Sequence, residues 1–549
     1  MGKLGSIAAA ARQAASDKAF ELKVLREAGI LGLHRPDKSA KVVSAFVRWG
    51  ASPALGITTA AIHYPHETAL IDERGSLTFE QLQRRSNALA HAFERMGIGY
   101  GDGVGVMCRN HRGFIEVTLA AAKLGASALY LNTMFAGPQL VEVTRREEPK
   151  VLVYDEEFSE LLDGVDEGIQ RVVGWSEGET EPPTLDSLID SADDSDLKPP
   201  ADKPRFIILT SGTTGTPKGA QRSSPDGLFA MAAIIDKIPY RSRETMMIAA
   251  PLFHSWGFFH FVMSLPTAST LVLRRRFDPE ETLRAVQDHR AQVLAVVPVM
   301  LQRILQLPDE TLDSYDLSSL RITSLSGSAL PGELAIEWMD RFGDSIYNLY
   351  GSTEVAYGTV ATPEDLRVAP GTAGRPPRGT VVRLYDEQGR AVPRGEVGRI
   401  FVGNEMSFEG YTGGGGKEVI DGLLSSGDVG HLDPGGHLFV DGRDDEMIVS
   451  GGENVFPREV EDLLADHEAV VEVAVIGVED EEYGQRLKAF VVVAEEAEVS
   501  DEDLKAHVKA HLAGYKAPRE VEFVPELPRN ATGKILKREL HAREAEKST

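Results

Sequence analysis

From about residue 70 to residue 440 the chain alternates short β-branched runs with amphipathic stretches. The runs at 206–210, 293–297, 321–325 and 345–349 have the length and residue types of strands, and 331–342 reads as a helix with Pro331 near its first turn. That alternation predicts an α/β fold, a large N-terminal domain of several subdomains with βαβ-type sheets. After Asp441 the pattern changes to a helix near 458–464, strands near 470–478 and 487–493, and a helix over 500–512. Ser500 and Asp503 stand at capping-box spacing at the start of that last helix. About 100 residues suffice for a separate small α+β domain. Between the two patterns lies the polar stretch Gly442, Arg443, Asp444, Asp445, Glu446, the candidate hinge. At the other end Phe20, Val24, Ala28 and Leu31 recur at helical spacing among charged residues, predicting an amphipathic helix over 18–31. The predicted organisation is an N-terminal helical extension at 1–50, a large domain at 51–441, a hinge at 442–446 and a small domain at 447–549.

Composition narrows the function classes. A chain of 549 residues that is 42% hydrophobic and 26% charged carries enough apolar material for a sizeable core. Its formal net charge of −26 repels phosphate backbones, so nucleic acid is excluded as a main partner. The single cysteine, Cys108, permits no intramolecular disulfide and reads as a small buried hydrophobe. The apolar stretch 257–273 contains His260 and Pro266 and is too short to span a bilayer. Residues 7–11 are too short an apolar run for a signal peptide, which makes the cytoplasm the expected compartment. Gly2 and Ser6 match a myristoylation pattern only formally. The helix over 18–31 packs on the protein body or makes peripheral membrane contact, and its mixed charges weaken the second reading.

One loop carries chemistry on its face. Thr210, Ser211, Gly212, Thr213, Thr214, Gly215, Thr216, Pro217 and Lys218 follow a predicted strand. Small residues let backbone N–H groups approach an anion, hydroxyls donate hydrogen bonds and Lys218 adds positive charge, so the natural ligand is phosphate. The spacing is not Walker A, because Pro217 stands five residues after Gly212 and Ala220 five after Gly215.

Further along come Asn348, Leu349, Tyr350, Gly351, Ser352, Thr353 and Glu354, then Ser426, Gly427 and Asp428, then Gly442 and Arg443, then Gly451, Gly452, Glu453 and Asn454, and last Asn530, Ala531, Thr532, Gly533 and Lys534. With the hydroxyl-rich loop, this ordered set resembles the signature of the adenylate-forming superfamily, in its acyl-CoA synthetase branch, from about Leu70 to Arg538. The resemblance implies that a carboxylate attacks the α-phosphate of ATP to give an acyl-adenylate and pyrophosphate, after which a thiol displaces AMP. It further implies that Ser211, Thr213, Thr214 and Lys218 hold the β- and γ-phosphates and that Thr353 bonds the α-phosphate. Glu354 matches the Mg²⁺ ligand, and a hard carboxylate oxygen suits that ion. Tyr350 matches the aromatic beside adenine, with Asn348 and the backbone of Gly327, Ser328 and Ala329 completing the base site. Asp428 matches the acceptor of both ribose hydroxyls, and Arg443 the residue at ribose and phosphate. Lys534 is implied as the adenylation lysine, carried on a mobile small domain that turns about Asp445 and then brings Gly451 and Gly452 to the thiol channel.

The segment Pro251 to Phe259 bears on the acid. By the same resemblance His254 stands at the junction of acyl pocket and thiol channel. Amino-acid-activating relatives carry an aspartate just after this point, where the chain has Ser255 and Trp256; a buried ammonium without a carboxylate is costly, which disfavours amino acids. Trp256, Gly257, Phe258, Phe259, Val296 and Val299 suggest an apolar wall, and a medium- or long-chain fatty acid is the first choice, with an aryl acid as alternative. Two departures from the family pattern bear on this: Leu349 replaces a glycine common in fatty-acid members, and Leu423 and Ser426 replace the usual Trp and Thr. Coenzyme A is the expected acceptor and a carrier protein the rival. A non-catalytic adenylate- or acyl-binding protein is the reading from another class, and retention of Glu354 and Lys534 argues against it.

Overall fold

The structure, a computed structural model, describes residues 2–32, 35–202, 204–210, 218–222, 227–406, 408–412, 414–446, 448–450, 453–480, 484–494, 497, 499–512, 514–530 and 533–547. Among these residues four sheets form. The largest runs in the order Thr359–Ala361, Ile346–Tyr350, Ile322–Leu325, Val293–Val296, Thr245–Ile248, Thr270–Leu273, Thr68–Asp72 and Gly75–Thr78. Its six inner strands are parallel and its two outer ones antiparallel. Val293–Val296 and Ile322–Leu325 are buried at every position, as strands covered on both faces by helices must be.

A second sheet places Phe408–Tyr411 beside Lys218–Arg222, then Phe206–Thr210, and continues through four more parallel strands to Gln170–Trp175. A third, antiparallel sheet contains Leu423–Leu432 paired with Gly398–Gly403 on one side and Leu438–Arg443 on the other. The fourth lies in the C-terminal part, where Val470–Asp480 and Gly484–Val493 form a long antiparallel pair with Glu520–Phe523 parallel at its edge. Helices Pro457–Ala465, Asp501–His511 and Lys537–Lys547 accompany it, giving mixed α+β structure. The predicted cap is present: Ser500 accepts from the Asp503 backbone at 3.2 Å while Asp503 accepts from Ser500 at 3.1 Å.

The N-terminus forms three helices, α1 (Gly2–Glu27), α2 (Pro36–Trp49) and α3 (Pro53–His63). The helix expected over 18–31 is therefore longer and ends earlier. The alanine-rich run before residue 18 has high helix propensity without apolar periodicity, so periodicity alone did not reveal it. Arg378 ties α1 to the body, donating to Ser16 at 2.7 Å and to Asp17 at 3.1 Å and lying over the Phe20 ring. No helix among the described residues is long and apolar enough to cross a membrane. Cys108 is fully buried, and burial pushes its thiol up, so it stays protonated.

Candidate active site

Four neighbouring parallel strands, Thr245–Ile248, Val293–Val296, Ile322–Leu325 and Ile346–Tyr350, end on the same side of the largest sheet. Crevices at the carboxyl ends of parallel strands are where open α/β sheets bind ligands. Here the segments that follow those strands line one continuous cavity of about 2000 Å³, contributing His254, Val297, Val299, Gly327, Ser328, Ala329, Thr353 and Glu354. Asn348, Leu349 and Tyr350 reach it from the last strand, and Asp428 and Arg443 from the third sheet.

The polar end is built by register. Asp428 and Arg443 face each other across the antiparallel pair, so the guanidinium donates to Asp428 Oδ1 at 3.3 Å. Tyr350 donates to Asp428 Oδ2 at 2.6 Å, and burial together with the Asp428 charge pushes its phenol up, keeping it a donor. Asn348 lines the cavity, and its Oδ1 is a buried acceptor with no partner among the described residues. An amide oxygen accepts, so it suits a donor such as an exocyclic amine. Glu354 has both carboxylate oxygens held: Tyr411 donates to Oε1 at 2.7 Å and Ser352 to Oε2 at 2.9 Å. Pairing of Phe408–Tyr411 with Lys218–Arg222 brings Lys218 to 5.4 Å from the Tyr411 ring centroid, beside the Glu354 cluster. Ser255 and Thr353 hydroxyls lie 3.4 Å apart at the centre.

The apolar end begins at His254. Its Nε2 is buried without a partner among the described residues, and burial pushes the ring down to about 4, so it is neutral at pH 7. Trp256 is pinned by donation to the carbonyls of Val296 at 3.1 Å and Ser324 at 3.3 Å, and stacks on Phe259 with ring centroids 5.5 Å apart. Gly257 sits where a Cβ would approach the Pro251 carbonyl oxygen to 2.3 Å, which obliges a glycine at the start of helix Ser255–Ser264. Phe258 lines the cavity with Trp256 and Gly257. Val296 does not: strand alternation turns it into the core, fully buried, while Val297 and Val299 face the cavity. The expectation that Val296 forms part of the acyl wall is corrected accordingly.

Lys534, distant in sequence, lines this same cavity. Its turn is shaped by Asn530 Oδ1, which accepts from the Lys534 N–H at 2.8 Å, and by Gly533 at φ +76° packed against Val299. Ser211, Gly212, Thr213, Thr214 and Gly215 lie outside the described residues, as do Gly451 and Gly452. Thr210 closes its strand opposite Lys218, and Asp445 lies in the 3₁₀ turn Asp444–Glu446. Sequence reading overlooked Tyr411 and the hydroxyl of Ser352. Ser352 was visible beside Glu354; Tyr411 carried no local signal.

The protein-family model described as AMP-binding enzyme matches residues 57–412, and that described as AMP-binding enzyme C-terminal domain matches residues 459–534. The chain belongs to the AMP-binding enzyme family. Among relatives of this family, a feruloyl-CoA synthase from Amycolatopsis sp is 35% identical over 489 residues, covering 87% of this chain and 96% of that protein. The fatty acid–[acyl-carrier-protein] ligase ScoC of Streptomyces coeruleorubidus is 31% identical, covering 89% and 96% respectively. The solved structure of the anthranilate CoA ligase AuaEII with anthranoyl-AMP superposes with a TM-score of 0.80 at 25% identity, covering 90% of this chain and 97% of that one. The family assignment places the chain among the adenylate-forming ligases and their acyl- and aryl-CoA ligase relatives.

Proposed function

We propose that the chain is an ATP-dependent, AMP-forming acid–thiol ligase that activates a medium- or long-chain fatty acid and passes the acyl group to coenzyme A. The observation that carries this reading is the cavity in which a polar end, an apolar end and Lys534 meet. In this reading the two Asp428 oxygens accept from the ribose, Asn348 Oδ1 accepts from the adenine amine, and the Tyr350 hydroxyl orders Asp428. Thr353 bonds the α-phosphate, and Ser211, Thr213, Thr214 and Lys218 hold the outer phosphates. Lys534 then neutralises charge growing between carboxylate and α-phosphate. Rate enhancement comes from positioning and electrostatics, with no protein nucleophile.

Glu354, which lines the cavity, fits a hard divalent cation: each carboxylate oxygen takes one hydroxyl donor and retains acceptor capacity. Bound there, Mg²⁺ would supply charge neutralisation for the phosphates. Residues 442–446 are proposed as the hinge between a large domain at 51–441 and a small one at 447–549, with Asp445 the pivot and Gly451 and Gly452 meeting pantetheine after rotation. Neutral His254 would then stand between the acyl and thiol paths without adding a buried charge.

An aryl acid is the second reading, favoured by the flat Trp256–Phe259 stack and by relatives named for ferulate and anthranilate. ScoC keeps a carrier protein in view as acceptor. Pyrophosphate exchange against a panel of alkanoic and aromatic acids, followed by addition of coenzyme A, separates these outcomes. Failure to form acyl-AMP from any acid refutes the ligase reading.

A further inference from the structure

The cavity does not end where the family model begins at residue 57. Besides Phe258 and Phe259 its lining includes Leu55, Gly56, Thr59 and Ala60 of α3 and three exposed apolar residues, Leu31 just after α1 and Val43 and Phe46 of α2, which mark its outer rim. Pockets for drug-sized ligands hold about 300–1,000 Å³. At about 2000 Å³, part of it bounded by residues 446–471 and 529–537, this one exceeds that range.

Helix α2 is inverted relative to an ordinary surface helix. It buries Ala45 and Trp49 against the body, yet turns outward Val43 at 64% exposure, Phe46 at 55% and Val47 at 82%. Val43 and Phe46 belong both to that outward stripe and to the cavity lining, so stripe and cavity are one apolar surface. The charged pair at the rim, Lys18 and Glu21, is closed on itself at 2.6 Å. The opening is therefore chemically suited to hydrocarbon and unsuited to an ionic head group, which the opposite, polar end accommodates.

We propose that the α1–α2 pair is the outer wall of the acyl site, with Leu31, Val43 and Phe46 as specificity-determining residues for alkyl chains long enough to pass α3. This inference rests on the ligase reading given above. A tail lying along α2 is shielded by Phe46 and in return covers Val43, and each further methylene buried this way raises kcat/KM about fourfold until the stripe ends.

The test compares kcat/KM for palmitate with that for hexanoate in the wild type, in the double variant Val43→Ser/Phe46→Ser, and in Thr59→Phe, which narrows the cavity at α3. The palmitate-to-hexanoate ratio should fall about tenfold in the double variant, since both changed side chains are solvent-exposed and the fold does not depend on them. Thr59→Phe should lower it at least as far. A ratio unchanged within about twofold in both variants overturns the inference, and equal loss for both acids counts as unchanged. A wild type that converts aromatic but no alkanoic acids overturns it too, leaving the ligase reading intact; a wild type that adenylates no acid at all sinks the reading beneath.

Discussion

Gly533 gives the sharpest test of how Lys534 reaches the active site. A Cβ built on Gly533 would lie 2.0 Å from Val299 Cγ1 and 3.1 Å from its Cβ, and the residue holds φ +76°. Gly533→Ala therefore carries two costs. The left-handed conformation costs an L-residue roughly 1–2 kcal/mol, and it is paid wherever the turn keeps its shape, so it largely cancels between domain arrangements. On the proposed movement of residues 447–549, the overlap with Val299 exists only while the turn sits against residue 299, and overpacking of this kind costs about 1–3 kcal/mol. Converted to a population, that is about a 5- to 160-fold loss of the arrangement that presents Lys534. Pyrophosphate exchange should drop by this factor, while coenzyme A-dependent consumption of supplied acyl-AMP changes little. Val299→Ala in the Gly533→Ala background removes Cγ1 and should restore most of the exchange. Equal loss in both half-reactions, or no rescue by Val299→Ala, would refute the reasoning.

Other predictions follow from the same geometry. Lys534→Ala should abolish most acyl-AMP formation yet spare thioester formation from supplied acyl-AMP, measured as separate half-reactions. Asp428→Ala strips Tyr350 and Arg443 of a charged acceptor and should raise the KM for ATP about 10- to 100-fold, the range expected for hydrogen bonds to a charged group. For His254 the ring falls from 6.5 to about 4 on folding, so the unfolded chain binds a proton that the folded chain refuses between those values. Stability is thus lost as pH falls from about 6.5 toward 4, by at most about 3 kcal/mol from this ring. Urea unfolding at pH 7 and pH 5 should show the stability difference between wild type and His254→Asn shifting in the variant's favour at the lower pH; a difference that stays constant contradicts a neutral buried ring.

Some of this was written in local pattern. Strand runs such as 206–210 and the Ser500 cap were legible because β-branching and capping act over a few residues, and the elements formed there. Family motifs were likewise legible, since each is contiguous. Val296 was misread because an apolar run shows that a strand is buried but not which face meets ligand; alternation and the position of the cavity decide that. Tyr411 was missed because its link to Glu354 depends on an antiparallel pairing between 408–411 and 218–222, segments nearly two hundred positions apart. α1 was placed too late because alanines favour a helix without marking a face.

By itself the amino-acid order determined the α/β character, the change of pattern near residue 441 and the residue types able to bind phosphate, because propensity, capping and short motifs are encoded by neighbours in the chain. Only the tertiary structure decided that Asp428 faces Arg443 and Tyr350, that Gly533 lies against Val299 beside Lys534, and that residues of α1 and α2 join the cavity lining. Those facts depend on strand register and on packing between distant segments, where the energy lies in contacts that local sequence does not contain.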